Sequence, residues 1–349
     1  MLKAKSTSIR YINWLRIAAI YTVVAAHIAI WTARGQEPRS FGWWVGNWIH
    51  ILAIWTVPVF VMVSGVLLLG NPRNESAIDF YKKRMRRIGV PVVFWTAVFL
   101  VARRYIGHED MSVRRAAHLI FTATPYYHLW YLLMIPGLYL VTPPLRAFVR
   151  RSTQKQRFIA IAVILGLAAI YYPLNILYWG RERTIFTVFV PFIGYYLCGY
   201  ELRSIELKKI FGWPLAVLAA LAVVYSIVIA KPFVDNLGYV GDVYIVDFFC
   251  PPVILMGLVI FCAARQIEQR WQPGGAIFAK AEALVTSTTL GIYVFHPLVL
   301  EYMRVKMSRR AADEGLLVAI VVGPVIAFGA SYIITSLMMN VPFLRRTVG

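Results

Sequence analysis

Long apolar runs alternate with short polar or Gly/Pro-rich breaks along the whole chain. Reading the runs as elements predicts helices near 11–32, 45–69, 89–106, 128–145, 157–178, 184–201, 210–230, 243–264, 284–301 and 315–339. Each run has roughly 18 to 25 residues, enough to cross a ~30 Å hydrocarbon core as a helix. Lipid offers the backbone no hydrogen-bond partner, so a run of this kind must close its bonds internally. The first run is too long, and too soon followed by others, for a cleaved signal peptide. The pattern therefore predicts an all-α polytopic membrane protein of about ten transmembrane helices. No soluble domain fits between the helices, which leaves 1–349 as a single transmembrane domain.

Composition agrees. Hydrophobic residues make up 60% of the chain and charged residues 15%, against about a quarter charged in soluble domains; the mean hydropathy is +0.65. A net charge of +20 suggests nucleic acid at first sight. In a membrane protein it has a plainer source, the Lys and Arg of cytoplasmic loops, and no nucleic-acid partner is expected. With the N-terminus inside, 22 of the 36 basic residues fall in cytoplasmic segments and 13 outside, which predicts both termini in the cytoplasm. Two outer loops run against the bias, one with Arg103, Arg104, Arg114 and Arg115, the other with Arg304, Lys306, Arg309 and Arg310. Cys198, Cys250 and Cys262 lie in apolar runs without metal-ligand spacing and read as buried thiols.

Ionisable residues inside such runs are functional candidates, because burying a charge at mid-membrane costs about 2.5 kcal/mol or more. The first helix holds Arg16 and His27. Eleven residues at 100° each bring both side chains to one face, roughly 16 Å apart along the axis. An anion-binding group and a proton-transfer group then stand at two depths of one path. Taken singly, Arg16 is equally a helix-end arginine that snorkels to the headgroups, and His27 equally a helix–helix hydrogen bond. Ser64–Gly65 near the end of the second helix permits close backbone approach. The following loop, FYKKRMRRIGVP, has five basic residues in six positions, Lys83, Arg84, Arg86 and Arg87 among them. It suits anionic membrane lipid or the phosphates of a cytoplasmic donor. Asp247 is expected one turn inside the eighth helix. His128, His296 and Glu301 fall with His27 in the outer half, where imidazoles serve packing or a polar acceptor pocket. They come from separate helices without a signature spacing, so no metal is expected.

In chain order stand R-x10-H (Arg16…His27), VPVFVMVSGVLLL (57–69), FYKKRMRRIGVP (80–91), HLWYL (128–132) and GIYVFHPL (291–298). This series resembles the membrane-bound acyltransferase-3 family, and within it the short branch of the enterobacterial-common-antigen type. The resemblance implies transfer of an acyl group, usually acetyl, from cytoplasmic acyl-CoA to a hydroxyl of an envelope glycan or glycolipid at a bacterial inner membrane. It makes Arg16 and His27 the essential pair, with His27 a base or an acyl carrier. Arg84 and Arg87 match an R-x-x-R motif beside the donor site, with Lys83, Arg86 and Ser64 as neighbours. His128, Tyr131, His296, Glu301 and Asn13 become candidates for binding the acceptor or the developing oxyanion. Many members have Asp three residues before the arginine, where this chain has Asn13. The rival reading from another class is a transporter or lipid-linked glycan flippase, which needs no CoA; no half-to-half repeat supports it.

Overall fold

Helices account for all the regular structure among the described residues, as a lipid surround requires. The computed structural model describes residues 10–70, 75–180, 183–205, 247–271, 274–307 and 316–349, with the isolated positions 220, 224 and 228. In chain order the helices are α1 (Arg10–Arg34), α2 (Phe41–Ala53), α3 (Thr56–Leu69), α4 (Ala77–Tyr105), α5 (Val113–Phe121) and α6 (Leu129–Arg151). They continue as α7 (Gln154–Trp179), α8 (Ile193–Leu202), α9 (Pro251–Arg270), α10 (Ala276–Met307), α11 (Leu316–Met339) and α12 (Pro342–Val348). Eight helical stretches are long and apolar enough to cross a membrane, with Phe41–Leu69 counted as one. The predicted helix at 210–230 lies outside the described residues, apart from positions 220, 224 and 228.

The second predicted helix is broken in two. Pro58 has no N–H to give the Ile54 carbonyl, and its ring crowds that carbonyl. The chain accordingly turns at Ile54–Trp55 between α2 and α3. The basic segment expected as a loop is instead the start of α4. Ser76 caps that helix by accepting a bond from the Asp79 N–H at 3.0 Å, and Asp79 sits in the first turn, where a negative charge meets the positive helix end. Lys and Arg are good helix formers, so nothing stops the helix before Pro91. At 1.5 Å per residue α4 is about 43 Å long, longer than the hydrocarbon is thick, so its basic turns stand beyond the lipid.

Two further expectations are corrected. In place of a helix over 184–201, residues 185–192 form tight three-residue turns, with Phe192 N–H bonded to the Phe189 carbonyl and Ile193 N–H to that of Val190. Pro191 disfavours the α-conformation in the residue before it, and the regular helix starts only at Ile193. Asp247 precedes its helix: a carboxylate oxygen accepts from the Phe249 N–H at 2.9 Å, an Asx-type turn. The helix opens at Pro251–Pro252, where missing N–H groups cost nothing.

α1 is the hub of the bundle, in contact with α2, α3, α9, α10 and α11. α3 crosses α8 through two glycines: a Cβ at Gly65 would collide with the Tyr196 carbonyl, and one at Gly199 with the Met62 carbonyl. On α7 the row Ile161, Leu165, Ala168 and Ile176 is buried, while Val163, Leu167, Ile170, Leu174 and Leu177 are exposed. That exposed apolar row is the face a bilayer covers.

Gly65→Ala forces the α3–α8 backbones apart, an overpacking cost of roughly 1–3 kcal/mol or more. Thermal unfolding of detergent-solubilised protein should show a clear drop in Tm. Gly166→Ala, with open space around it, should leave Tm unchanged or raise it, since alanine favours a helix over glycine.

Candidate functional site

Two helices build a polar seam through the apolar interior. On α10, Glu282, Thr286, Thr289, Tyr293 and His296 recur at four- and three-residue steps and share one face. That face meets α1 in three places. The Asn13 amide donates to Glu282 at 2.7 Å, aided by the Trp14 indole N–H at 3.2 Å. The Arg16 guanidinium donates to the Thr289 hydroxyl at 2.7 Å. The rings of His27 and His296 stack with centroids 5.4 Å apart. Numbers rise together on both helices, so they run parallel. The distance from the first of these pairs to the last is fourteen residues on each, about 21 Å of helix. A carboxylate thus stands beside position 13, contributed by Glu282 of α10.

At the far end of the seam four of the six histidines gather. His296 is fully buried, and its Nδ1–H donates to the Ile292 carbonyl at 3.1 Å. A carbonyl only accepts, so the proton is on Nδ1 and Nε2 presents a lone pair. His128 lies 5.5 Å from His296, ring to ring; it is buried, and neither of its ring nitrogens has a protein partner. Its backbone carbonyl accepts from the Tyr293 hydroxyl. A cavity of about 90 Å³ opens here, with His27, His50, Tyr127, His128, Tyr131 and Tyr293 as its polar lining. Ile54 and Thr56, at the α2–α3 break, form part of its wall, so backbone freed by Pro58 faces a polar space rather than lipid.

From the cavity the polar groups continue toward the basic turns of α4. Tyr131 stands near Arg16, and Tyr139 near Arg84 and Arg87. The Arg84 guanidinium lies 5.4 Å from the centroid of Phe80 and 5.8 Å from that of Tyr139, and its buried Nε has no partner. Beside it the buried Arg146 is held by Glu75 at 3.6 Å and by the Leu68 carbonyl at 2.8 Å, 4.6 Å over the same Phe80 ring.

The segment that delivers Tyr127 and His128 is tied from outside. Arg103, at the other end of α4, grips Glu109 through two bonds of 2.9 and 2.7 Å. It also donates to the carbonyls of Thr124 and Pro125 at 3.2 and 3.3 Å. Arg115 adds a bond to Glu109 at 2.8 Å. Ala123 is held at a φ of +54°, a left-handed conformation that costs a non-glycine residue about 1–2 kcal/mol; the Arg103 bonds to the next two residues hold the turn in place.

The structure thus brings His27, His128, His296 and Tyr131 together, and leads Arg16, Arg84 and Arg87 toward them. Arg86 is exposed on another side of α4. Lys83 is turned to Glu75 at 3.8 Å. The Ser64 hydroxyl bonds the Phe60 carbonyl one turn back at 2.9 Å. Glu301 pairs with Arg304 on its own helix, and Asn13 sits at the opposite end of the seam. His50, Tyr127 and Tyr293 escaped sequence reasoning. The polar stripe of α10 was a readable signal for Tyr293. His50, alone in the tryptophan-rich FGWWVGNWIH, gave none. Among the described residues no group of three or more His, Cys, Asp or Glu is arranged to hold a metal ion.

A helical bundle crossed by one buried polar seam, with a histidine-lined cavity at its end, defines a polytopic membrane protein with an internal site. The acyltransferase-3 family, described as an acyltransferase domain, matches residues 9–336, and the chain belongs to that family. No curated protein and no solved structure matches the chain.

The grip of Arg103, by hydrogen bond and by charge, together with that of Arg115, holds the Glu109 carboxyl below the ordinary carboxylate range. A folded-state pKa below the unfolded one means a contribution that is complete above the unfolded value, about 4.3, and is lost as pH falls through the folded value. Tm measured against pH should therefore decline on the acid side, and Glu109→Gln should flatten that decline while lowering Tm near neutrality.

Proposed function

We propose that the protein is an O-acyltransferase of a bacterial cytoplasmic membrane. It moves an acyl group, acetyl in the first place, from cytoplasmic acyl-CoA to a hydroxyl of an envelope glycan or glycolipid. The observation that carries this reading is the shared stripe of α1. Arg16 and His27 both face α10, roughly 16 Å apart along the axis, with His27 on the cavity.

Arg84 and Arg87 take the coenzyme's phosphates, since guanidinium groups match phosphate oxygens in bidentate fashion. The pantetheine arm then follows the seam past Arg16, and its length matches the path to His27. There the acceptor hydroxyl oxygen attacks the thioester carbonyl. His27 takes the hydroxyl proton, the new C–O bond forms, the C–S bond breaks, and the proton passes to the departing thiolate. An imidazole suits this because its ordinary pKa lies near neutrality. Covalent capture of the acyl group on His27 gives the same net transfer; label retained on the protein before acceptor is added separates the two. His128, His296 and Tyr131 surround the reacting carbonyl, and membership of an acyltransferase family favours transfer over the flippase alternative.

Purified protein supplied with labelled acetyl-CoA and an envelope glycolipid extract should transfer label. His27→Ala should reduce transfer by about 10²-fold or more. Arg84→Ala should raise the KM for donor with kcat largely retained. Undiminished turnover by the His27 variant removes the proposed base, and substrate movement without any CoA requirement replaces the transferase with a flippase.

A further inference from the structure

The cavity lining combines polar groups with apolar ones, and the space between them is small. Its apolar walls include Val23 and Ala26 of α1, Val57 and Phe60 of α3, Trp130 of α6 and Phe248 ahead of α9. Phe248 is firmly set: its carbonyl accepts from the Tyr195 hydroxyl, and its ring lies 5.1 Å from Trp130 and 5.9 Å from Phe192. Among the described residues Phe60 has one aromatic ring neighbour, Tyr131, at 6.0 Å, and it projects from a helix whose backbone is fixed independently by the Gly65 crossing.

Volume decides what fits. An apolar cavity of roughly 150 Å³ accepts benzene, with six heavy atoms. A cavity of about 90 Å³ that is open on one side therefore takes a group of a few heavy atoms within its walls. An acetyl group meets that limit, its methyl against the apolar wall and its carbonyl toward the imidazoles. A sugar ring with its hydroxyls exceeds it, so the bulk of a glycan would extend through the open side. A hexanoyl chain exceeds it as well.

We infer that Phe60 and Phe248 are specificity-determining residues that close the acyl end of this cavity and restrict the donor to short acyl groups. The inference rests on the acyl-transfer reading above and adds to it the residues that set chain length. A tight apolar pocket discriminates about 10–200-fold for a methylene too many or too few, so the cut-off is steep. Phe60→Ala removes a benzene-sized ring and leaves the helix intact, which shifts the limit to longer chains.

Binding of non-transferable ketone analogues of acetyl-, butyryl- and hexanoyl-CoA to the purified full chain tests this without knowledge of the acceptor. The parent protein should bind the acetyl analogue at least tenfold more tightly than the hexanoyl one. Phe60→Ala should raise hexanoyl affinity tenfold or more and change that of free CoA little. Phe60→Leu, a milder change, should admit butyryl alone and serves if the alanine variant does not fold; Ala26→Phe, which fills the space, should weaken even the acetyl analogue. Equal affinity of the parent for all chain lengths overturns the inference, as does an unaltered length profile in folded Phe60 variants. If neither CoA nor any analogue binds, the acyl-CoA reading itself fails and takes this inference with it.

Discussion

A polar side chain placed among lipid-facing helices has water nowhere within reach, so it must be met by a group on a neighbouring helix. The pairing of α1 with α10 answers this demand. Asn13 needs Glu282, Arg16 needs Thr289, and His27 stacks on His296. The first and last pairs are fourteen residues apart on both helices and so fix one register, while the long Arg16 side chain reaches about one turn further along α10 to Thr289. Rotating α1 by one residue would turn all three groups away from their partners at once. The Tyr11 N–H adds a bond to Glu268 of α9 at 3.1 Å; the apolar contacts of α1 tolerate adjustment more readily than these polar ones.

The site also depends on places where helical regularity fails. The Ile54–Trp55 turn, forced by Pro58, lets α2 and α3 line the cavity from two directions. The turn before α6 brings His128 to the cavity as the residue that precedes the helix, rather than as a side chain midway along it. The tight turns at 185–192 place Phe192 against Phe248. A bundle of uninterrupted helices would fill its interior with side chains; these breaks keep a small volume open, and most of them are set by proline.

Much of this was legible in the chain itself. The apolar runs located the membrane helices, and the eleven-residue interval located Arg16 and His27 on one face, because both signals arise within a single helix. What lies between helices was harder. His50 joins the cavity because the chain turns at Ile54–Trp55 between α2 and α3, which no periodicity encodes. Arg103 belongs by sequence to a basic outer loop that runs against the charge bias; its engagement by Glu109 and two carbonyls depends on how the 106–128 segment folds back. The basic turns of α4 were misread because charge suggested a loop, whereas Lys and Arg extend a helix readily once Ser76 and Asp79 have started it. The polar stripe on α10 was visible at helical spacing, and Glu282 and Thr289 could have been found by following it down from His296.

One helix holds both approaches to the cavity. α4 carries Arg84 and Arg87 near its beginning and Arg103 near its end, and its middle is anchored where the Trp95 indole N–H donates to the Thr347 carbonyl at 2.9 Å. The basic turns and the turn bearing Tyr127 and His128 are therefore joined by one continuous helix, fastened at its centre as well as near its end.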